Sequence, residues 1–388
     1  HLIDQFWSPR VNQRTDEWGG SFENRMRFGM EVLKAVREEV GRDFAVGLRI
    51  TGDEFHADGL NHDDMKEIAA YYNNTGLLDF FSVVGSGCDT HNTLANVIPN
   101  MSYPPEPFLH LAAGIKEVVS VPVMHAQNIK DPNQAQRILE AGYVDFVGMT
   151  RAHIADPHLI TKIKLNQVDQ IKQCVGANYC IDRQYQGLDV LCIQNAATSR
   201  ESTMPHIIQK TDGPIRTVVI IGGGPAGMEA ARVCAERGHK VTLIEKSSEL
   251  GGQITIAAKA PQRDQIAGIT RWFALELQLN TAGDEASIRG FNADVVILAT
   301  GATPFINQNP HWGADDGLVV SSWDILNGHI EPGKNVLVYD TICEFSGLSV
   351  ADFLAHNGAL VEVVTDDIKP GEAVGGTTFP TYYRSLYE

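Results

Sequence analysis

The chain has 388 residues, 43% of them hydrophobic and 20% charged, with a formal net charge of −17. Such a length accommodates about two or three domains with buried cores. The acidic balance argues against a nucleic-acid-binding surface, and no apolar run approaches the roughly 20 residues of a membrane-spanning helix.

Residues 1–165 alternate strands and helices. The runs "FAVGLRI" (44–50), "LDFFSVVG" (78–85), "VPVMHA" (121–126) and "VDFVGMT" (144–150) are short and rich in Val and Phe, which predicts strands buried on both faces. Between them, residues 23–41 place Met26, Met30, Leu33 and Val36 at helical spacing and end on Gly41. Residues 131–142 open with an Asp cap and Pro132 and end on Gly142. Four βα units in series predict an α/β fold with a parallel sheet, open or barrel-shaped. A closed (βα)8 barrel takes about 250 residues. The start at His1 and the end at "YYRSLYE" suggest a fragment, with the second half of such a barrel at its beginning.

Residues 166–213 are irregular. They carry Cys174, Cys180 and Cys192, three of the six cysteines, within nineteen residues. Cys88, Cys234 and Cys343 are isolated and read as buried thiols. No secretory segment is visible, so a reducing cytoplasmic localisation without disulfides is expected. The three clustered thiols suit a soft metal site. Zinc would need a distant fourth ligand, because no His lies in 174–195.

After the linker-like "TDGPI" (211–215), the strand "TVVII" runs into Gly222, Gly224 and Gly227, a G-x-G-x-x-G turn that opens a helix. The glycines, with Pro225 and Ala226, let the backbone approach a pyrophosphate at the helix N-terminus. Glu245, followed by Lys246, ends the next strand 18 residues after Gly227, where a carboxylate would accept ribose hydroxyls. A third segment, 334–365, repeats strand–helix–strand. Its turn reads "TICEFSG", with no G-x-G where a pyrophosphate would approach, so weak or absent NAD(P)H binding is expected there.

Several stretches resemble known families. "GGQ" (251–253) and "ADVVILATGATP" (293–304) resemble signatures of two-dinucleotide flavoprotein reductases, which adds Gly252, Gln253, Thr300 and Gly301 to a site for FAD or ADP. "SPRVNQRTDEWGGSFENRMRF" (8–28) resembles the R-T-D-x-[YW]-G-G-S-x-E-N-R-x-R-F signature of old yellow enzyme-type flavin barrels. The order barrel, cysteine cluster, "QNAAT", "GGGPAG" is similar to the branch holding trimethylamine dehydrogenase and 2,4-dienoyl-CoA reductase. "HLIDQFW", "CVGANYCIDR" and "VLVYD" look closest to demethylases of dimethylglycine and N-methylproline.

The resemblance implies the C-terminal half of an FMN-binding TIM barrel (1–165), an iron–sulfur segment and linker (166–213), a Rossmann-like FAD/ADP domain (214–330) and a partial, degenerate second nucleotide unit (331–388). It implies that Arg49 lies near the flavin ring, where a fixed cation stabilises reduced flavin. Arg151, with Thr150 before it, would hold the FMN phosphate as an arginine fork. Gln127 and Asn128 occupy a loop that reads V-G-R or V-G-G in many relatives, and stand as weaker candidates through their backbone N–H groups. His125 reads equally as a flavin-facing or a core residue. Ser82 stands where the amine dehydrogenase has a substrate-contacting Asp, so no catalytic acid or base is assigned; those residues are expected upstream of His1.

Family members hold a [4Fe–4S] cluster with C-x2-C-x2-C-x11/12-C spacing. Cys174, Cys180 and Cys192 match the first, third and fourth ligands, and Ala177 stands at the second. The implied cofactor is a [4Fe–4S] or [3Fe–4S] cluster, and the alternative is a lost cluster with three leftover thiols. The expected function is flavin-dependent oxidative N-demethylation of a small secondary or tertiary amine, with electrons leaving through the cluster to an acceptor protein or subunit. An NADPH-dependent 2,4-dienoyl-CoA or enoate reductase is the alternative, and a non-catalytic electron-transfer or nucleotide-binding subunit is a third reading. Homo-oligomerisation stays open.

Overall fold

The computed structural model describes residues 2–276, 290–306 and 317–387; His1, Glu388 and stretches 277–289 and 307–316 of the expected nucleotide-binding domain lie outside the described residues. The chain packs as two compact units, His1–Arg151 and Ala152–Glu388.

The first unit runs α1 (Leu2–Trp7), α2 (Phe22–Val40), β1 (Gly47–Thr51), α3 (His62–Asn73), β2 (Phe80–Val84), α4 (His91–Val97), α5 (Leu109–Lys116), β3 (Val123–His125), α6 (Pro132–Glu140) and β4 (Phe146–Val147). All four strands are parallel, in the order β1-β2-β3-β4, because helical crossovers return the chain to the same sheet edge each time. This is the strand order of half a (βα)8 barrel. The helix ends follow the expected chemistry. The Ser21 hydroxyl accepts the Asn24 N–H at the start of α2, and Gly41 leaves it at φ 73°.

Register decides which side chains share a face. Ile50 pairs with Val83 and Val83 with His125, while Phe81 pairs with Val123. These residues pack with Met26, Leu33, Ile68, Leu111 and Ile115 from the helices, except that His125 puts a polar ring into this layer. Arg49, Ser82 and Met124 occupy the opposite face. Burial on both faces was expected for every strand. It holds for most of β2, but β1 exposes Gly47 and Arg49 and β4 exposes Phe146. Among the described residues β1 and β4 are the outer strands of this sheet, each paired on one side.

The second unit continues from α7 (Thr150–Ala155), whose first two residues belong to the first unit, through α8 (Leu159–Lys164) and α9 (Tyr179–Tyr185). Next come β5 (Thr217–Ile221), α10 (Pro225–Glu236), β6 (Lys240–Ile244), α11 (Gln253–Ala257), α12 (Gly268–Glu276) and β7 (Val295–Leu298). They form a parallel sheet in the order β6-β5-β7. β5 is central, and its Val218, Val219 and Ile220 are buried, as a parallel strand covered on both faces requires. Strands β8 (Asn335–Asp340) and β9 (Leu360–Thr365) pair in parallel across the helix Phe345–His356.

Candidate functional site

In the first unit the candidate residues sit at the C-terminal ends of strands, the functional face of βα barrels. Arg49, one residue before the β1 segment Ile50–Thr51 that closes the strand, is exposed. Its guanidinium makes no hydrogen bond or ion pair among the described residues. An unpaired guanidinium on the face opposite the helices suits an anionic ring system. Ser82 lies beside it in register and is buried. Thr150 is exposed and Arg151 half-buried at the start of α7.

Gln127 and Asn128 are both buried after β3. The Gln127 amide donates to the Asn96 and Val97 carbonyls at 2.8 and 2.9 Å, and its oxygen accepts the Gly85 N–H. Its side chain therefore ties the β2 and β3 loops together, which leaves only backbone groups for a phosphate. The Asn128 side-chain amide donates to the Pro104 carbonyl at 2.9 Å, while its side-chain oxygen Oδ1 is buried without a partner. The loops after β1, β2 and β3 each place a non-glycine residue at left-handed φ: Phe55 at 54°, Ser86 at 76° and Asn128 at 55°. Such strain concentrates at functional sites. No local sequence signal marked Phe55 or Ser86.

His125 faces the helices. Its Nδ1 bonds the Val83 carbonyl at 3.1 Å, and its Nε2 is buried without a partner. Burial, aided by the charges of His110 and Arg49 and opposed by the Val83 carbonyl, lowers its pKa to about 4, so the ring is neutral. Of the two readings, the structure supports the core histidine.

In the second unit the dinucleotide residues converge on one cradle. A Cβ at Gly222 would lie 2.2 Å from the Ala299 carbonyl oxygen and 3.1 Å from the Thr300 nitrogen, so glycine lets the β5 turn reach the end of β7. A Cβ at Gly227 would lie 1.8 Å from the Gly222 carbonyl oxygen, and one at Gly252 would lie 3.1 Å from Gly224 Cα. Gly301 and the Gln253 amide are neighbours in the same way, at 3.6 Å. Gly224 itself faces open space, bordered by the exposed Pro225, Ala226, Gln253, Thr300 and Gly301. This cradle, which a side chain at Gly224 would fill, fits a pyrophosphate. The Glu245 carboxylate accepts the Gly223 and Ser247 N–H groups. Burial pushes its pKa up, but these bonds outweigh burial and hold it below its usual value. Lys246 beside it is exposed.

The second nucleotide-like turn is filled from within. Asp340, buried at the end of β8, accepts the Cys343 N–H at 3.0 Å and the Gly371 N–H at 3.2 Å. Its carboxyl carbon would lie 2.4 Å from a Cβ at Gly347. A carboxylate now bonds N–H groups of the kind an incoming phosphate would need.

Around the cysteines, the Cys174 sulfur accepts the Gly176 N–H and the Cys192 sulfur the Gln194 N–H, both at 3.4 Å. Burial raises the Cys192 pKa and the nearby Cys174 adds to it; N–H groups of Gln194 and Asn195 and the charge of Lys172 oppose the rise. Cys180 is half-buried near the start of α9. Among the described residues no three His, Cys, Asp or Glu side chains gather as ligands of a single metal ion. A cuboidal cluster binds its thiolates on separate irons, and hydrogen bonds to sulfur are characteristic of such ligands, so the donor set fits a cluster. Two neighbours lacked any motif. Lys172 is nearly buried beside Glu229. Asp182 accepts three hydrogen bonds from Thr377 and Thr378.

Residues 1–170 match the family model described as NADH:flavin oxidoreductase / NADH oxidase family, and residues 217–351 the model described as FAD dependent oxidoreductase. Among curated relatives, an N,N-dimethylglycine/sarcosine dehydrogenase of Chromohalobacter salexigens is 75% identical over 100% of this chain and 58% of its own length. A probable N-methylproline demethylase of Rhizobium meliloti is 41% identical over 100% of this chain and 57% of its own. The solved structure of a 2-naphthoyl-CoA reductase in complex with 2-naphthoyl-CoA superposes with a TM-score of 0.89 at 28% identity, covering 100% of this chain and 59% of that one. The chain thus spans a little under three fifths of the length of the two curated relatives.

Proposed function

We propose, from the match of residues 1–170 to the NADH:flavin oxidoreductase / NADH oxidase family model, that the chain serves an FMN-dependent dehydrogenase of small N-methylated amines. The observation that carries this reading is the 75% identity, along the whole chain, to a protein named for N,N-dimethylglycine and sarcosine. The substrate class is therefore an N-methylated amino acid, and the product of its oxidation is an iminium that water converts to formaldehyde and the demethylated amine.

When bound, the flavin supplies hydride acceptance from the methyl carbon and the cluster supplies one-electron transfer to an acceptor protein. The chain's own residues prepare these sites. Arg49 contributes a fixed positive charge where the ring accumulates negative charge. Arg151 and Thr150, with the backbone at Gln127 and Asn128, hold the phosphate. Gly222, Gly224, Pro225, Ala226 and Gly227 receive a pyrophosphate of FAD or ADP. Glu245 and Lys246 take the ribose end, and Gly252, Gln253, Thr300 and Gly301 close the cradle. Cys174, Cys180 and Cys192 ligate the iron. The Asp340 carboxylate in the second turn opposes an anionic NAD(P)H pyrophosphate and so favours a protein electron acceptor. A cytoplasmic setting accords with thiolate ligation.

Likeness to a reductase structure favours a second reading, an NADPH-driven enoyl reductase. Stopped-flow mixing of the full-length protein separates the two. Dimethylglycine or sarcosine should bleach the flavin and release formaldehyde stoichiometrically, whereas NADPH should bleach it slowly or not at all. Rapid bleaching by NADPH with no response to either amine would overturn the demethylase reading.

A further inference from the structure

We propose that Lys172 is a positioning residue that holds a fixed positive charge against the two cysteine-bearing segments and thereby raises the reduction potential of the cluster they ligate. The inference rests on the iron–sulfur reading of Cys174, Cys180 and Cys192.

The placement is specific. Lys172 lies two residues before Cys174, and its side chain is only 13% exposed. Its ammonium donates to the Gln194 carbonyl at 3.2 Å, and the N–H of that same residue bonds the Cys192 sulfur. The Gln194 side chain in turn donates to the Gln173 carbonyl at 3.1 Å. Ammonium, amide and thiol thus form one connected patch joining the segments that begin at 172 and 192.

Neighbours surround the ammonium on every side: burial, aided by Arg232, lowers its pKa, and the charges of Glu229, Glu236 and Asp156 oppose that fall. The ammonium sits 4.4 Å over the Trp272 ring of α12, a favourable cation–π distance, and the Trp272 indole donates to the Gln170 carbonyl. The backbone N–H of Lys172 bonds Asp156 at 2.9 Å, and Asp156 already pairs with Lys162 at 2.6 Å. On α10, Glu229 faces the ammonium at 3.9 Å but gives its closer contact, 2.6 Å, to Arg232, which also pairs with Glu236. Each carboxylate around Lys172 therefore has a nearer cation. The lysine charge acts on the Cys192 thiol.

Net charge and hydrogen bonding at the sulfurs set the potentials of such clusters. A cation in a poorly solvated site favours the reduced cluster, which carries one more negative charge. Trp272 and α10 belong to the nucleotide-binding part of this unit. The same lysine thereby links cluster electrostatics to the dinucleotide helix.

The test is an EPR-monitored redox titration of the full-length holoenzyme, with iron and acid-labile sulfide measured on every sample. K172M should shift the cluster midpoint to a more negative potential. K172R should restore it towards wild type, and E229Q, which removes the facing negative charge, should shift it the opposite way. A midpoint unmoved in K172M, or moved equally in K172M and K172R, would overturn the inference while leaving the cluster reading intact. If K172M fails to retain iron, E229Q decides, and a negative or absent shift there counts against the proposal. Wild-type protein without iron would remove the cluster reading and this inference with it.

Discussion

Asp182→Ala should open the packing between α9 and the loop that precedes the C-terminal helix Phe379–Tyr387. The Asp182 carboxylate is 7% exposed. It accepts the Thr377 N–H at 2.9 Å, the Thr377 hydroxyl at 2.7 Å and the Thr378 hydroxyl at 3.1 Å. Gly375 packs so closely that a Cβ there would lie 2.0 Å from the Asp182 carboxyl carbon. Alanine leaves the Thr377 N–H orphaned, at about 1–3 kcal/mol, and opens a small cavity worth about 1 kcal/mol. The hydroxyls can turn elsewhere, so the expected loss is about 3 kcal/mol. Asp182→Asn should behave differently. Burial makes ionisation costly here and raises the carboxyl pKa, outweighing the bonds from Thr377 and Thr378. The asparagine oxygen keeps both Thr377 bonds, and its amide can donate to a rotated Thr378 hydroxyl. Its cost should stay within about 1 kcal/mol. Hydrogen–deuterium exchange of peptides covering 174–187 and 371–387 reads the difference. Alanine should speed exchange about a hundredfold, since 1.4 kcal/mol is about tenfold, and asparagine less than tenfold. Equal effects of the two variants would refute the reasoning, because charge rather than shape and bonding would then hold the contact.

Three further outcomes follow from the geometry. His125 is neutral and buried with its pKa near 4 against an ordinary 6.5, so the unfolded chain takes up the proton first. The stability tied to that difference, about 3 kcal/mol, is complete above pH 6.5 and is lost as pH falls from 6.5 to 4. His125→Phe should flatten urea-midpoint profiles across that window, and an unchanged slope would count against it. Gly224→Ala should fold normally and lose bound adenine nucleotide at least tenfold, while Gly227→Ala, whose Cβ meets the Gly222 carbonyl oxygen at 1.8 Å, should destabilise the domain itself. Circular dichroism with nucleotide content after acid release separates the two. Arg49→Met should weaken FMN retention about tenfold, about 1.4 kcal/mol, with Arg49→Lys between; an unchanged flavin-to-protein ratio would take Arg49 out of the site.

Local pattern alone determined much of this protein. Glycine spacing, caps and apolar period placed α2, α6, β5 and α10 within a few residues, because these signals act over one turn or one strand. The G-x-G-x-x-G glycines were legible for the same reason: the close approaches at Gly222 and Gly227 exclude any Cβ. Tertiary structure decided the rest. His125 and Met124 are adjacent in sequence, yet strand register sends one into the helical core and the other to the opposite face. Gln127 reads as a phosphate-loop residue through its backbone, and only the fold shows its side-chain amide bonded to carbonyls 31 and 30 residues away. Lys172 meets Gln194 across 22 residues, and Asp182 meets Thr377 across 195. Such pairings come from packing of distant segments, and neither periodicity nor spacing encodes the distance between them.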